Sequence, residues 1–360
     1  MPLRLGLIGC GDYSQHHLDA IESDSDFELA GVVDPDPERG AQVVKRFSCR
    51  RYSALEALAA DDGVDAVIIA SPNRYHFQQF KACADRCKHV YVNIPATIDP
   101  AEARQMVQLS RERGIVYQIG DNFRSNLAFI EFKNRLLSGE IGAVHLIDAV
   151  AGCPRGYTLT PGEWRASRQE SPLLPFTQFG IVLMEVILHV WGPPQTVFAY
   201  LTKRDGAGDA PDLGVAVARY SDGRAAHVGC AYVMSYTHVL RAYGRDGALT
   251  WDQYDDNTVA LHRNGQTTSR PRASAPTIGQ QHAELLEFAS CIREHRQPDA
   301  GGIDAYHLAE YFRCIARSAQ TGAAAAFHPW HQTESSVRSN HNAPRSLREC
   351  DDDQHVKART

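Results

Sequence analysis

The fold of this chain is decided near its start, by residues 5–14, LGLIGCGDYS, and residues 29–34, LAGVVD. An apolar run ends in Gly-x-Gly-x-x-Ser, a segment with a helical pattern follows, and a second apolar run ends in an acid. This order is typical of the strand, turn, helix and strand that bind a dinucleotide. The alternative is an ordinary strand-to-helix turn that binds nothing.

Each position of the glycine turn has a role in such a site. Gly9 permits the tight turn, Gly11 lets a pyrophosphate approach the backbone, and the small Ser14 keeps the helix close to the strand. Asp34 ends the second strand, where its carboxylate can accept hydrogen bonds from ribose hydroxyls. No arginine follows it directly, so NAD(H) is favoured over NADP(H). The predicted phosphate-binding turn consists of Gly9, Gly11, Asp12, Tyr13 and Ser14. Within it, Asp12 adds a negative charge that would repel the pyrophosphate if its side chain points inward.

The first third of the chain alternates strand and helix patterns. Buried strands are predicted at residues 64–70, 89–92 and 115–119, with helical patterns between them. Such alternation indicates an α/β fold with a doubly wound parallel sheet of the Rossmann type. We assign residues 1–122 to this dinucleotide-binding domain.

The pattern changes after a predicted helix at residues 126–138. Longer strands with turn signals between them are predicted at 144–153, 196–204, 213–220, 224–235 and 239–262. Further helices are predicted at 178–191, 280–294 and 303–321. Residues 123–328 are therefore expected to form an α+β domain with a large, mostly antiparallel open sheet. The polar residues 329–360 lack a periodic apolar face and are expected to be a disordered tail.

Composition excludes several classes of protein. The chain has 360 residues, 43% of them hydrophobic, and a formal net charge of −6. No apolar run approaches the length of about 18 residues that a membrane span needs, and the negative charge offers no basic surface for nucleic acid. The N-terminus lacks a leader pattern, and nine cysteines form no paired framework. We expect a cytoplasmic protein with a small-molecule substrate.

Further motifs carry a resemblance to a known family. Residues 71–76, SPNRYH, residues 122–124, NFR, and the pair Trp164-Arg165 are similar to successive motifs of the glucose-fructose oxidoreductase, inositol dehydrogenase and MocA (Gfo/Idh/MocA) family. The resemblance covers about residues 3–328. It implies a Rossmann domain, a nicotinamide cofactor, and further cofactor contacts from Ser71, Pro72, Asn73, His76, Asn93, Pro95, Asn122 and Arg124.

The same comparison reveals departures at the catalytic positions. The family's fifth strand usually ends in Glu-Lys-Pro, but this strand ends in Asn93-Ile94-Pro95. The family's Asp-x-Gly-x-His-x-x-Asp helix, aligned through Gly180, places Gln178 and Val182 at its first acid and its histidine. Moving hydride to or from an alcohol carbon needs a group that handles the hydroxyl proton, and such a group contributes on the order of 10²- to 10⁴-fold. Isoleucine, glutamine and valine do not titrate.

One helix face keeps ionisable groups. Gln178, Val182, Glu185 and His189 are spaced four, three and four residues apart, so they share a face. Glu185 and His189 lie one turn apart, and the carboxylate could hold the imidazole as an acid or base. The alternative is that His189 packs near Trp191 with Glu185 as a solvated neighbour. We therefore take Glu185, His189 and Gln178 as candidate catalytic residues, with no metal site predicted.

Three functions stay open at this point. The first is an NAD-linked oxidoreductase for a non-standard substrate such as an imine, a conjugated system or a modified sugar. The second is a catalytically inactive nucleotide-binding regulator. The third is a non-redox enzyme such as a lyase, cyclase or isomerase. The resemblance also implies a homodimer or homotetramer formed through the second sheet. We expect Val228, Cys230 and Tyr232 on the exposed face of that sheet.

Overall fold

The computed structural model describes residues 1–160, 162–255, 258–269 and 279–331. Most of the predicted tail, residues 332–360, lies outside the described residues. At the start of that predicted tail, the described Trp330 ring packs against the Arg104 guanidinium at 4.8 Å, so this residue is ordered. Among the described residues, no helix has the length and apolar character that a bilayer span requires.

The first sheet has six parallel strands in the order β3-β2-β1-β4-β5-β6. They are β1 (Leu3–Ile8), β2 (Phe27–Val33), β3 (Arg50–Arg51), β4 (Ala66–Ile69), β5 (His89–Asn93) and β6 (Tyr117–Gly120). The chain winds through α1 (Ser14–Glu22), α2 (Pro37–Phe47), α3 (Leu55–Ala59), α4 (His76–Ala84) and α5 (Pro100–Glu112). This is the doubly wound order expected for the first domain.

Local sequence explains where two of these helices begin. The Asp36 carboxylate accepts a hydrogen bond from the Glu38 backbone at 2.9 Å, and Asp99 caps α5 in the same way through Ala101 at 2.8 Å. A proline follows each cap at the first helical position, where its missing N–H costs nothing. Both helices therefore start immediately after the sheet-to-helix turns.

The second sheet has nine strands in the order β14-β13-β12-β11-β7-β10-β9-β8-β15. They are β7 (Val144–Gly152), β8 (Thr196–Thr202), β9 (Leu213–Arg219), β10 (Ala225–Ala231), β11 (Thr237–Gly244), β12 (Gly247–Asp252), β13 (Thr258–Arg263), β14 (Gln266–Ser269) and β15 (Ala325–Ala326). Only the β7–β10 pair is parallel among the described strands of this sheet. The segment predicted as strand at 239–262 is divided among three strands, β11, β12 and β13.

Helices cover one face of the second sheet. α6 (Leu127–Leu137), α7 (Ile181–Trp191) and α9 (Gly302–Thr321) pack on it, and a π-helical turn at Phe176–Gly180 leads into α7. α8 (Gln280–Glu294) instead returns to the first sheet and packs on α1.

The expectation that Val228, Cys230 and Tyr232 face outward is wrong. All three are buried, with exposed fractions of 0%, 2% and 3%. Strand side chains alternate between faces, and the even-numbered positions of β10 lie beneath α7 and the π-helical turn. The outward positions hold small or polar residues such as His227, while exposed apolar side chains on other strands, including Phe198 and Tyr200, supply the outer face.

The carboxyl ends of β1, β4, β5 and β6 meet at one edge of the first sheet. Ligands of doubly wound folds bind outside this edge. The chain places the glycine turn, the loop after β4, the Asn93-Ile94-Pro95 segment and the segment after β6 there. α7 approaches the same edge from the second sheet through its contact with the segment Asn122–Ser125.

Candidate cofactor and active site

The glycine turn has the geometry that a pyrophosphate needs. Gly9 has a φ of +90°, and a Cβ there would lie 2.8 Å from the Ser71 backbone nitrogen. A Cβ on Gly11 would meet only an Arg39 nitrogen, at 3.8 Å, so the space above Gly11 is open. Ser14 is fully buried, and its hydroxyl donates to the Gly11 carbonyl at 2.5 Å. The turn therefore fits a closely approaching phosphate.

Asp34 holds the turn from the neighbouring strand. One carboxylate oxygen accepts from the Cys10 N–H at 2.6 Å, and the other accepts from the Asp36 N–H at 2.7 Å. Each oxygen keeps a further lone pair for a ribose hydroxyl. The Arg39 guanidinium beside Gly11 is a cation that the search for an arginine directly after Asp34 missed, since it lies five residues further on.

Arg165 is a cation of the second domain within electrostatic range of the exposed Asp12. The Arg165 side chain is half-buried, stacks on Trp164 at 4.3 Å and donates from Nε to the side-chain Oε1 of Gln178 at 3.0 Å. Within the described ranges, no carboxylate lies within 4.0 Å of Arg165, but Glu163 and, more weakly, Asp12 act on it electrostatically. Burial lowers the pKa of Arg165, yet the guanidinium stays charged. It can offset Asp12 and bind a cofactor phosphate.

The loop after β4 is tied to the loop after β5 by His76. Its Nε2 lies 2.7 Å from the Ser71 carbonyl and its Nδ1 lies 3.0 Å from the Pro95 carbonyl. Burial lowers the pKa of His76 to about 4, so the neutral ring has one N–H for two acceptors. Pro72 precedes the short helical turn that begins at Asn73, and both are partly exposed at the edge.

The end of β5 carries no titratable group. Asn93 is buried, and its Oδ1 lies 2.8 Å from His17 Nε2 on α1. Burial lowers the pKa of His17 to about 4, so this neutral ring donates to the amide. Tyr13 packs edge-on against the same ring at 5.8 Å. Ile94 follows, partly buried against the core.

Two lysines near these elements, Lys88 and Lys133, contact groups away from Pro95. Lys88 lies at the opposite end of β5, where its ammonium donates to the carbonyls of Asp61 and Val64. Lys133 on α6 contacts His189 Nε2 at 3.1 Å. Neither ammonium replaces the family's lysine beside Pro95.

The side chains on the face shared by Gln178, Glu185 and His189 have partners other than those that the sequence predicted. Gln178 accepts from Arg165, Val182 is partly buried, and Glu185 accepts from Arg124 through Oε1. His189 contacts Lys133, and burial lowers its pKa. The hypothetical Glu185–His189 hydrogen bond is not formed, because each side chain meets a cation from another element.

Arg124 is the centre of a charged cluster between the two sheets. Besides Glu185, its guanidinium contacts Asp121 at 3.4 Å, Asp304 at 3.0 Å and Asp299 at 3.2 Å. The neighbouring Asn122 donates to Gln280 on α8 at 2.8 Å. Sequence patterns identified Arg124 and Glu185 but missed the three aspartates, of which Asp299 and Asp304 lie far from Arg124 in the chain. Asp121 alone had a local signal, directly before the matched NFR motif.

Glu284 on α8 is a third buried acid near this edge, after Asp121 and Glu185. Its Oε2 accepts from the Tyr91 hydroxyl at 2.9 Å, and burial raises its pKa to about 8. Between the carboxyl pKa of the unfolded chain and about 8, the native state holds a proton that the unfolded state releases. Its contribution to stability is therefore complete at low pH and is lost as the pH rises through that interval, at roughly 1.4 kcal/mol per pH unit.

We predict that Glu284→Gln flattens the pH dependence of the unfolding free energy between about pH 5 and about pH 8. The amide stays neutral throughout, and its carbonyl can still accept from Tyr91. Denaturant unfolding of both proteins across this interval measures the difference. Parallel slopes would show that Glu284 is already ionised in the native protein.

Comparison with known proteins agrees with this geometry. Residues 3–121 match the family model described as an oxidoreductase family with an NAD-binding Rossmann fold, and residues 129–250 match the Gfo/Idh/MocA C-terminal domain. The chain belongs to the Gfo/Idh/MocA family.

Several relatives of the Gfo/Idh/MocA family have named activities. The chain is 25% identical over 334 residues to 1,5-anhydro-D-fructose reductase of Ensifer adhaerens, covering 89% of this chain and 98% of that protein. It is 32% identical over 141 residues to 4-carboxy-2-hydroxymuconate-6-semialdehyde dehydrogenase of Sphingobium, covering 39% of this chain and only 44% of that protein. Levoglucosan dehydrogenase in complex with NADH superposes with a TM-score of 0.83 at 18% identity, over 92% of this chain and all of that one.

The Gfo/Idh/MocA assignment confirms the predicted family, the predicted fold class and the nicotinamide cofactor. The chain is an NAD(P)-dependent oxidoreductase of this family. Its glycine turn, Asp34 and the loop after β4 would hold NAD(H), and the space above Gly11 fits its pyrophosphate.

Proposed function

We propose that this protein transfers hydride between NAD(H) and a non-standard small molecule, such as an imine, a conjugated carbonyl compound or a modified sugar. The observation that carries the proposal is the end of β5, where Ile94 stands before Pro95 in place of the lysine that the resemblance implies. Simple polyols need that proton-handling group most. The named activities of two relatives, a reductase of anhydrofructose and a dehydrogenase of a muconate semialdehyde, support substrates of this kind.

The proton balance supports the same choice. When bound, the reduced nicotinamide supplies a hydride. In a reduction, the substrate carbon gains that hydride, its C=O or C=N π bond breaks, and the heteroatom takes a proton. An iminium nitrogen already carries its proton, and an oxyanion can take one from water. Gln178 and Arg165 can donate hydrogen bonds that orient and polarise the acceptor, but neither serves as a base.

The candidate catalytic residues have different roles in this proposal. Gln178 lies at the cleft through its contact with Arg165. Glu185 is 1% exposed and acts through Arg124, so it is a positioning residue. His189 is held by Lys133 near the C-terminal end of α7, about three helical turns from Gln178.

We also propose a homo-oligomer formed through the outer face of the second sheet. Leu146, Phe198, Tyr200 and Val217 expose between 37% and 58% of their surface there, and Phe198 pairs directly with Val217 across β8 and β9. Exposed apolar side chains grouped on one face of a sheet favour a partner. Sedimentation of the purified protein tests the proposal, and a monomer at all concentrations would contradict it.

The experiment for the proposed activity is a panel of carbonyl compounds and imines with NADH. We expect saturable NADH binding and turnover of at least one conjugated, imine or modified-sugar substrate, followed by loss of NADH absorbance. NADH binding with no turnover of any member would favour an inactive regulator. Product formation with no change in NADH would favour a non-redox enzyme.

A further inference from the structure

Two carboxyl groups are buried against one arginine nitrogen. Glu185 Oε1 and Asp121 Oδ2 lie 2.9 Å and 3.4 Å from Arg124 Nε. The side chains of Asp121 and Glu185 are 0% and 1% exposed, and that of Arg124 is 9% exposed. One buried guanidinium therefore faces two buried acids, which leaves one negative charge uncompensated if both acids ionise. Burying such a charge is costly.

Three of the four carboxyl oxygens of this pair lack a hydrogen-bond donor. Both Asp121 oxygens and Glu185 Oε2 are buried without a hydrogen-bond partner in the described part of the chain. Two carboxylates cannot donate to each other, but a carboxylic acid can donate to a carboxylate. Their shared contact with Arg124 Nε, at 2.9 Å and 3.4 Å, brings the two carboxyl groups next to each other. A proton between them would satisfy orphaned oxygens and remove the excess charge together.

We infer that Asp121 and Glu185 share one proton, and that this acid pair is a positioning element that fixes the segment Asn122–Ser125 against α7 at the cofactor edge. Asp121 directly precedes that segment, and Glu185 lies on the helix that carries Gln178. Burial raises the pKa of both acids, that of Glu185 furthest. The pair thus joins the first sheet to the second.

The other charged groups around the pair do not substitute for the proton. Asp299 on the loop before α9 is 72% exposed and Asp304 on α9 is 31% exposed, so water solvates both. Glu284 on α8 raises the pKa of Asp121 further. His189 on α7 is near enough to sense Glu185 and Arg124, but its pKa is lowered by burial. Arg124 is the cation in direct contact with both acids.

Asp121→Asn tests the shared proton directly. The asparagine amide can donate permanently to Glu185 Oε2, so no proton has to be held. We expect a higher thermal unfolding midpoint than wild type near pH 8 and little change near pH 5. Only the wild-type native state must hold a proton that the unfolded chain releases, so only the wild type loses stability as the pH rises. The control is Asp65→Asn, since Asp65 has an arginine of its own, Arg4, at 2.6 Å, and its loss should lower the midpoint at both values.

Infrared spectra give a second readout that a merely structural contact would not move. In a Glu284→Gln background, we expect a carboxylic-acid C=O band at neutral pH that shifts in D₂O and disappears with Asp121→Asn. Absence of that band, or an Asp121→Asn midpoint that falls as it does for Asp65→Asn, would overturn the shared proton.

The positioning role rests on the proposed function and has its own measurement. We expect the Kd of wild-type protein for NADH to rise at alkaline pH more steeply than that of Asp121→Asn. Identical pH profiles would overturn the positioning role. A protein that binds no NADH at any pH would contradict the proposed function, whereas the infrared and unfolding results would still decide the shared proton.

Discussion

Gly9→Ala is expected to weaken NADH binding by at least about 100-fold and to destabilise the protein by on the order of 1–3 kcal/mol. The added Cβ would lie 2.8 Å from the Ser71 nitrogen and 2.9 Å from the Ser71 Cα, both backbone atoms that cannot rotate away. The residue also has a φ of +90°, which an L side chain rarely adopts. The glycine turn and the loop after β4 must therefore both shift, and the turn can no longer hold the pyrophosphate. Fluorescence titration with NADH measures the effect.

Two matched glycines separate strain from loss of the site. Gly223 has the same φ of +90° in the hairpin between β9 and β10, with nothing within 4 Å of an added Cβ. Gly223→Ala should be strained but bind NADH normally. Gly11→Ala should fold normally, because its Cβ meets only Arg39 at 3.8 Å, yet lose NADH. Normal binding by Gly9→Ala and Gly11→Ala would show that no phosphate lies at this turn.

Arg124→Met is expected to lower the free energy of unfolding by about 3–5 kcal/mol, as removal of one partner from a buried ion pair does. The substitution keeps much of the side-chain volume but leaves Glu185 and Asp121 without a counter-ion. The loss should grow as the pH rises, since the uncompensated carboxylates of the variant hold protons in the native state that the unfolded chain releases. Denaturant unfolding near pH 5 and near pH 8 measures both features.

An exposed arginine is the control for this variant. Arg46 contacts Asp19 at 2.7 Å and Glu22 at 2.5 Å, but these acids are 65% and 53% exposed. Arg46→Met should cost less than about 1 kcal/mol, as surface ion pairs do. If Arg124→Met costs no more than Arg46→Met, the buried cluster does not hold the two sheets together.

The first domain could be predicted in detail because its determinants are local. Gly9, Ser14 and Asp34 are close in sequence and act through backbone geometry that a glycine pattern reports. The outer face of the second sheet could not be predicted in the same way. Val228 and Cys230 are apolar on a strand whose exposed side depends on which helix covers it, so the sequence alone does not determine the face.

Much of the candidate site depends on contacts between distant residues. A helical spacing placed Glu185 and His189 on one face, as observed, but their partners come from Arg124 and Lys133, over 50 residues away. Glu284 and its hydrogen-bond partner Tyr91 are 193 residues apart in the sequence. No periodicity reports such pairs, because each depends on how α7 and α8 dock against the first sheet.

The rate of NAD⁺-dependent oxidation of myo-inositol or glucose by the wild-type protein tests the central claim most directly. NADH titration of the same sample first establishes that the cofactor site is intact. With Ile94, Gln178 and Val182 in place of proton-handling groups, we predict turnover at least about 100-fold below the roughly 10 per second of a typical enzyme. Oxidation of either compound at that ordinary rate would contradict the claim.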